Sequence, residues 1–233
     1  RGKAGSREHL RGREETPSRG ECHVNQAEHH RDLDQRPDHG RQRGAARHPE
    51  ARDAVVQALP GVAAAESPQH KYDNLLWLRG VKVFLDGGML TGSAFMRQPW
   101  GVSEVYSITD PQYRGVLFIP KERLKPMVRA AVESGLQFTA HSVGDGAVHT
   151  LLECYDELAK EGLPVRTTRG SITHCNFMSK EAVETAARLG VVLDMQPAWL
   201  YLDTRTLTKQ FGYDRLRYFQ PLQSIFAAGG VVG

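Results

Sequence analysis

The pattern of hydrophobic and polar positions from Leu75 onward consists of short apolar runs separated by stretches with helical periodicity. The first run is GVKVFLDGG, in which Val81, Val83 and Leu85 alternate with other side chains until two glycines end the run. Alternation with a period of two predicts a β-strand. Further strands are predicted at 136–140, 170–173, 190–195 and in the GGVVG sequence at 229–233.

Helical periodicity fills the segments between these strands. The apolar residues of 120–134 recur at i, i+3, i+4, i+7 and i+8, which predicts an amphipathic helix. Similar stripes predict helices from residue 147 to about Gly162 and around 222–228. A further helix is predicted between Ser179, a good N-cap, and Gly190, a good C-terminal stop.

Strict alternation of strands and helices is typical of an α/β protein whose parallel sheet has helical crossovers. Two segments interrupt this order: 89–119, which is rich in Gly, Ser, Pro and aromatic residues, and 197–211, which also contains several aromatic residues. Long loops inside compact domains are more often functional than idle. We therefore expect both segments to be loops that shape substrate specificity.

The length and the uneven composition divide the chain into three parts. Its 233 residues are fewer than the roughly 250 of a complete eight-stranded α/β barrel. Residues 1–53 contain no Phe, Tyr, Trp or Ile, and such a segment buries too little apolar surface to fold. We interpret 1–53 as disordered, or as translated from a non-native reading frame, 54–74 as a linker and 75–233 as a partial barrel.

Charge and cysteine content narrow the classes of partner and compartment. The net charge of +3 is small, and acidic residues are interleaved with the basic ones in 1–53, so we expect no nucleic-acid or membrane partner. The three cysteines show no C-x-x-C spacing, which favours a reducing compartment. The chain has neither a long apolar span nor a signal-like leader, so we expect a cytoplasmic protein.

Two histidines occupy the ends of consecutive predicted strands, His141 after 136–140 and His174 after 170–173. Ligands and catalytic groups of α/β folds gather at the carboxyl ends of parallel strands. Taken singly, each histidine could be a hydrogen-bonded structural residue. Adjacent strands lie about 4.8 Å apart, however, so two imidazoles at matched heights can reach one cation.

A third unusual residue is Lys82, a charged side chain within the first apolar strand. Lysine is rarely buried without a partner. One explanation is an ion pair with Asp86 or exposure at the edge of the sheet. The other is a lysine whose nitrogen is modified or neutralised at a metal centre.

The segment 75–233 resembles the amidohydrolase superfamily, in its YtcJ-like (amidohydrolase 3) branch, through the motifs GVKVFLDGG, HSVGDGAV, ITHCNF, LGVVLDMQPAWLYLD and FGYDRL. The resemblance implies a (β/α)8 TIM-type barrel that holds one or two divalent metal ions, commonly Zn²⁺, at its carboxyl rim. It further implies that Lys82 is carboxylated to a bridging carbamate and that His141 and His174 are metal ligands.

The same resemblance indicates substrate-binding residues, namely Asp145, Gln196, Trp199 and Tyr201. The alternative for Asp145 is an N-cap of the helix that begins at residue 147, and the alternative for the other three is ordinary loop packing. Arg215 matches a recurrent arginine of the family, and a surface salt bridge is its alternative role.

The implied chemistry is hydrolysis, because a metal-bound water with a pKa near 7 supplies hydroxide that attacks a carbonyl. The family's His-x-His pair occurs nowhere in this sequence, and the expected catalytic aspartate would lie beyond Gly233. We therefore expect a fragment of a metal-dependent hydrolase that cleaves carbon–nitrogen bonds of non-peptide amides or cyclic amides, without full activity of its own.

The alternative function is a non-catalytic protein whose partial barrel binds a small molecule or a partner. In the hydrolase interpretation the partner is a small-molecule substrate. Unpaired sheet edges would favour homo-oligomers.

Overall fold

The computed structural model describes residues 79–233. The predictions for 1–53 and for the linker 54–74 lie outside these residues, as do the first four residues of the predicted barrel segment.

Five parallel strands form one sheet, and their spatial order is their order along the chain. Neighbouring strands are joined by helical connections, so the predicted α/β architecture is confirmed. The register places Val83 opposite Ala140, Ala140 opposite Ile172 and Ile172 opposite Leu193. The strands are β1 (Gly80–Phe84), β2 (Gln137–Ser142), β3 (Ser171–His174), β4 (Val192–Asp194) and β5 (Val231–Val232).

The helices include all of those predicted and two that were not. Ser179 caps its helix by accepting a hydrogen bond from the Ala182 N–H at 3.0 Å, and Gly190 ends that helix with φ 68°. The helices are α1 (Lys121–Glu133), α2 (Asp145–Lys160), α3 (Val165–Thr168), α4 (Lys180–Leu189), α5 (Ala198–Arg215, kinked at Gly212 with φ 75°) and α6 (Leu222–Ala227). None of these helices has the length and apolar character needed to cross a bilayer.

The main hydrophobic core lies between the sheet and helices α1, α2 and α4. The central strands contribute Phe138, Ile172 and Leu193, each with none of its surface exposed. Because side chains alternate along a strand, the opposite face carries Lys82, which is exposed, and His141, which is half-buried. The residues expected to carry the chemistry thus lie on the face of the sheet that these helices do not cover.

A second hydrophobic cluster covers the carboxyl ends of the strands and joins the segment 89–119 to α5. Trp100 is its largest buried side chain, and the Trp100 indole N–H donates to the Ala94 carbonyl at 2.8 Å. The prediction of a loop at 197–211 was wrong, since α5 occupies most of that segment. Leu207 is the only buried residue of α5, so a clear apolar stripe is missing from its sequence.

Candidate metal centre

His141 and His174 face each other at the carboxyl ends of adjacent strands. Their ring centroids are 4.5 Å apart, and the ring planes meet at 78°. The register places His174 opposite Ser142, so simple alternation would direct the His174 side chain away from His141. A left-handed backbone conformation, with φ 86° at His174, interrupts that alternation at the last residue of β3.

The surroundings of His174 define which nitrogen is free to bind a ligand. His174 Nδ1 lies 2.6 Å from the Gln196 amide oxygen Oε1, which can only accept a hydrogen bond. Nδ1 therefore carries the proton, and Nε2 keeps its lone pair. The Trp199 ring lies 5.1 Å from the His174 ring and tilts by 31°. Gln196 and Trp199 both contact His174, and substrate binding by these two residues stays a prediction.

His141 favours the opposite tautomer. Its Nε2 lies 3.4 Å from the Gly87 carbonyl oxygen and 3.8 Å from Asp86 Oδ1, which are both acceptors. The proton is therefore favoured on Nε2, which leaves the lone pair on Nδ1. The Phe84 ring, 5.0 Å away, packs beside the imidazole.

Both imidazoles favour the neutral form, which is the form that binds metal ions. Burial lowers the pKa of His141 most, and the nearby His174 and Lys82 lower it further. Burial also lowers the pKa of His174, and the Lys82 charge adds to this effect, although the Gln196 hydrogen bond opposes it. The pair is therefore uncharged near neutral pH.

Lys82 lies on the same face of the sheet as the two histidines, and its charge acts on both of them. Its Nζ is 6.0 Å from the centroid of the Phe84 ring. Within 79–233 no salt bridge joins Lys82 to Asp86, so the ion-pair explanation was wrong. The side chain is exposed on β1, which is the edge strand of the described sheet.

Asp86 binds backbone N–H groups, whereas the sequence suggested an ion pair with Lys82. It is 1% exposed, and its carboxylate accepts hydrogen bonds from the backbone N–H groups of Phe95, Val143 and Gly144 at 2.9, 2.9 and 2.8 Å. Burial raises the pKa of Asp86 to about 7, and the three N–H donors oppose that rise. The only signal for this role of Asp86 in the sequence is the position of an acidic residue at the end of an apolar strand.

Asp145 connects α2 to the segment 89–119. The alternative role of Asp145 as an N-cap was wrong, because Gly144 is the N-cap and Asp145 is the first helical residue. Asp145 Oδ1 accepts a hydrogen bond from the Arg97 backbone N–H at 2.9 Å. The Phe95 carbonyl oxygen accepts from Gly146 N at 3.0 Å, which satisfies one of the free N–H groups of the helix terminus. Substrate binding by Asp145 stays a prediction.

Two further candidates lie apart from the histidines. Tyr201 is 89% exposed, and no ring contact or hydrogen bond joins it to the other candidates in the described part of the chain. The Arg215 guanidinium donates to the carbonyl oxygens of Pro99 and Gln98 at 2.5 and 2.8 Å and stacks on Phe211. A surface salt bridge was therefore the wrong role for Arg215.

The donor atoms at the rim fit a divalent cation. Two neutral imidazole nitrogens suit zinc and similar ions. Lys82 would add an oxygen ligand only as a carbamate. No group of three His, Cys, Asp or Glu side chains within 79–233 is arranged to hold a metal ion, so the two histidines alone do not complete a ligand set.

Comparison with known proteins finds relatives of part of this chain. The sequence is 26% identical over 137 residues to "Putative amidohydrolase YtcJ" of Bacillus subtilis, covering 59% of this chain and 24% of that protein. It is 29% identical over 140 residues to Protein LONG AFTER FAR-RED 3 of Arabidopsis thaliana, covering 60% and 23%. The matches thus span about a quarter of the length of these relatives.

Two solved structures share the fold. An uncharacterized metal-dependent hydrolase from Pyrococcus furiosus superposes with a TM-score of 0.60 at 21% identity, covering 76% of this chain and 34% of that one. Its counterpart from Pyrococcus horikoshii OT3 also gives 0.60, at 23% identity, covering 77% and 33%. With the parallel strands in chain order, this likeness confirms the predicted (β/α)8 TIM-type fold, of which the described residues form five strands.

The sequence profile of the amidohydrolase family matches residues 31–233, which is most of the chain. The protein therefore belongs to the amidohydrolase family.

Proposed function

We propose that this chain forms part of the active site of a metal-dependent hydrolase that cleaves carbon–nitrogen bonds of non-peptide amides or cyclic amides. His141 and His174 are the proposed metal ligands, and Lys82 is a third ligand after carboxylation. The observation that carries the proposal is the pair of imidazole rings at the carboxyl rim of a parallel sheet, whose centroids lie 4.5 Å apart. The family and the names of the relatives support it.

The proposed cation is zinc, bound as one or two ions. When bound, it would lower the pKa of a water molecule towards about 7 and polarise the substrate carbonyl. Residues of this chain hold the two ligands in the form that binds a metal ion. Gln196 Oε1, 2.6 Å from His174 Nδ1, keeps the proton on Nδ1, and burial favours the neutral form of both rings. Trp199 supplies an apolar surface next to His174, against which a substrate can lie.

We further propose that full turnover needs groups beyond the three named ligands. Proton transfer to the leaving nitrogen requires a positioned carboxylate. Asp86 is engaged by three backbone N–H groups. We therefore expect this chain alone to bind a cation without full catalytic activity.

Metal analysis of the purified chain tests the proposal. The wild type is loaded with Zn²⁺, desalted and analysed for bound metal beside His141→Ala and His174→Ala. His149→Ala is the matched control, because His149 bonds to Ser179 Oγ at 2.9 Å and does not belong to the rim pair. We expect zinc in the wild type and the control and at least a tenfold weaker affinity in the two rim variants.

Equal zinc retention by all four proteins, or none by the wild type, would overturn the metal centre and favour a non-catalytic binding protein. If zinc binds as expected, hydrolysis of amide and cyclic amide substrates is then assayed with the zinc-loaded protein.

A further inference from the structure

We propose that Asp86 is a positioning residue for the metal centre: it fixes the turn that follows His141 and selects the His141 tautomer whose Nδ1 is free for a metal ion. This inference rests on the proposed function, because it concerns how the proposed ligand is oriented. It assigns Asp86 no contact with substrate.

The carboxylate of Asp86 joins three segments of the rim. It follows β1 directly, and its oxygens accept from Val143 and Gly144, which follow β2, and from Phe95 in the segment 89–119. One carboxylate with three backbone donors at 2.8–2.9 Å fixes the relative positions of these segments. A buried group of this kind cannot lose its donors without a large desolvation cost.

The His141 ring is enclosed by the same arrangement. Its backbone carbonyl accepts from the Leu85 N–H at 3.0 Å, and the donors Val143 and Gly144 begin two residues after it. The backbone on both sides of the ring is thereby held to the end of β1. The backbone that carries the ring cannot shift without breaking hydrogen bonds to Asp86 or to Leu85.

The tautomer follows from what the ring faces. The Gly87 carbonyl oxygen, 3.4 Å from Nε2, can accept a hydrogen bond from a proton on that nitrogen, and the Asp86 carboxylate, with Oδ1 3.8 Å away, favours the same tautomer electrostatically. Gln196 imposes the opposite tautomer on His174. The two rings therefore offer different nitrogens, Nδ1 of His141 and Nε2 of His174. Carboxylates that orient ligating histidines in this way typically change metal affinity by about 10–100-fold.

The direct readout is the tautomer, measured by long-range ¹H–¹⁵N correlation spectra of the metal-free wild type above pH 7.5. We expect the Nε2–H tautomer for His141 and the Nδ1–H tautomer for His174. The Nδ1–H tautomer for His141 would overturn the inference. This measurement needs no metal, so it separates the inference from the proposed function.

The matched variants are Asp86→Asn and Asp156→Asn. Asn keeps the size of the side chain but places an NH₂ group where one oxygen accepted. Asp156 pairs with Lys160 and Arg188 on the surface of α2, so it controls for the loss of a carboxylate. We expect Co²⁺ affinity to fall at least tenfold in Asp86→Asn, with a mixed His141 tautomer, and to stay at the wild-type value in Asp156→Asn.

A folded Asp86→Asn protein with wild-type Co²⁺ affinity and an unchanged tautomer would overturn the role of Asp86. If Asp86→Asn does not fold, the His141 tautomer of the wild type alone tests the inference. If the wild type binds no Co²⁺, the proposed function fails, and the tautomers of the wild type and of Asp86→Asn still test the inference.

Discussion

His141 and His174 bring their ring centroids within 4.5 Å although they are one position out of register, His174 being opposite Ser142. A backbone φ of 86° at His174 interrupts the alternation of the strand at that residue. A non-glycine residue in this region costs roughly 1–3 kcal/mol, and such strain is concentrated at functional sites. The strain at His174 is consistent with a requirement for its side chain on the rim.

A comparison of His174→Gly with His174→Ala tests this strain. Both variants lose the ring, but only glycine adopts φ 86° without a steric cost. We expect the Gly variant to have a free energy of unfolding about 1 kcal/mol higher than the Ala variant, measured by urea denaturation. Equal stabilities, or a more stable Ala variant, would show that position 174 is not strained.

Gly144→Ala is expected to detach the segment 89–119 from α2. A Cβ at Gly144 would lie 2.0 Å from the Phe95 carbonyl oxygen, which is backbone and cannot move aside cheaply. We expect a loss of about 2 kcal/mol or more in unfolding free energy and faster hydrogen exchange near Phe95.

Gly88→Ala is the control for that substitution, because its Cβ would lie 3.3 Å from the Thr91 hydroxyl, a side-chain atom that can rotate. A small effect at Gly88 and a large one at Gly144 support the close approach. Similar effects at both positions would contradict it.

Protonation of His149 should lower the stability of the protein at acidic pH. Its Nε2 lies 3.1 Å from Arg97 Nη1 and 2.9 Å from Ser179 Oγ, so it accepts hydrogen bonds in the neutral form. Burial and then Arg97 lower the pKa of His149, and three carboxylates, those of Glu181, Asp145 and Glu153, partly oppose this. The unfolded chain therefore binds the proton more readily than the folded chain. The contribution of neutral His149 to stability is fully present above about pH 6.5 and is lost as the pH falls below it.

The measurement is urea denaturation of the wild type and His149→Gln at pH 7 and pH 5. Gln can accept the same hydrogen bonds and does not titrate. We expect a smaller loss of stability in the variant over this interval. An equal loss in both proteins would show that His149 does not contribute.

Arg215→Lys is expected to loosen the contact between α5 and the segment 89–119. Lysine lacks the fork that reaches the carbonyl oxygens of Pro99 and Gln98 together, and it stacks less well on Phe211. We expect a loss of about 1–2 kcal/mol in unfolding free energy and faster exchange at residues 97–102. Arg217→Lys, at an exposed position, should change neither; equal effects at both sites would contradict the contact.

The sequence allowed much of the sheet and the rim to be predicted. Period-two alternation located β1, β2 and β3, and the rule that parallel strands open onto a common rim brought His141 and His174 together. The predicted N-cap at Ser179 and the predicted stop at Gly190 were also correct, because they act through local hydrogen bonds and local φ values.

The remaining features depend on contacts between residues distant in sequence. Asp86 receives N–H groups from positions 9, 57 and 58 residues away, which no local pattern records. The hydrogen bond from the Arg97 N–H to Asp145, in place of the alternative N-cap role, was missed for the same reason. Helix α5 was missed because it packs through few side chains and so shows no amphipathic stripe.

The most direct test of the central claim, that Lys82, His141 and His174 converge on one cation, is a crystal structure of the zinc-soaked protein with anomalous data at the zinc edge. A zinc ion shared by the two rings should give a peak about 2.0–2.1 Å from His141 Nδ1 and His174 Nε2, on the side of Lys82. A peak elsewhere, or the two rings turned away from each other with no peak between them, would contradict it.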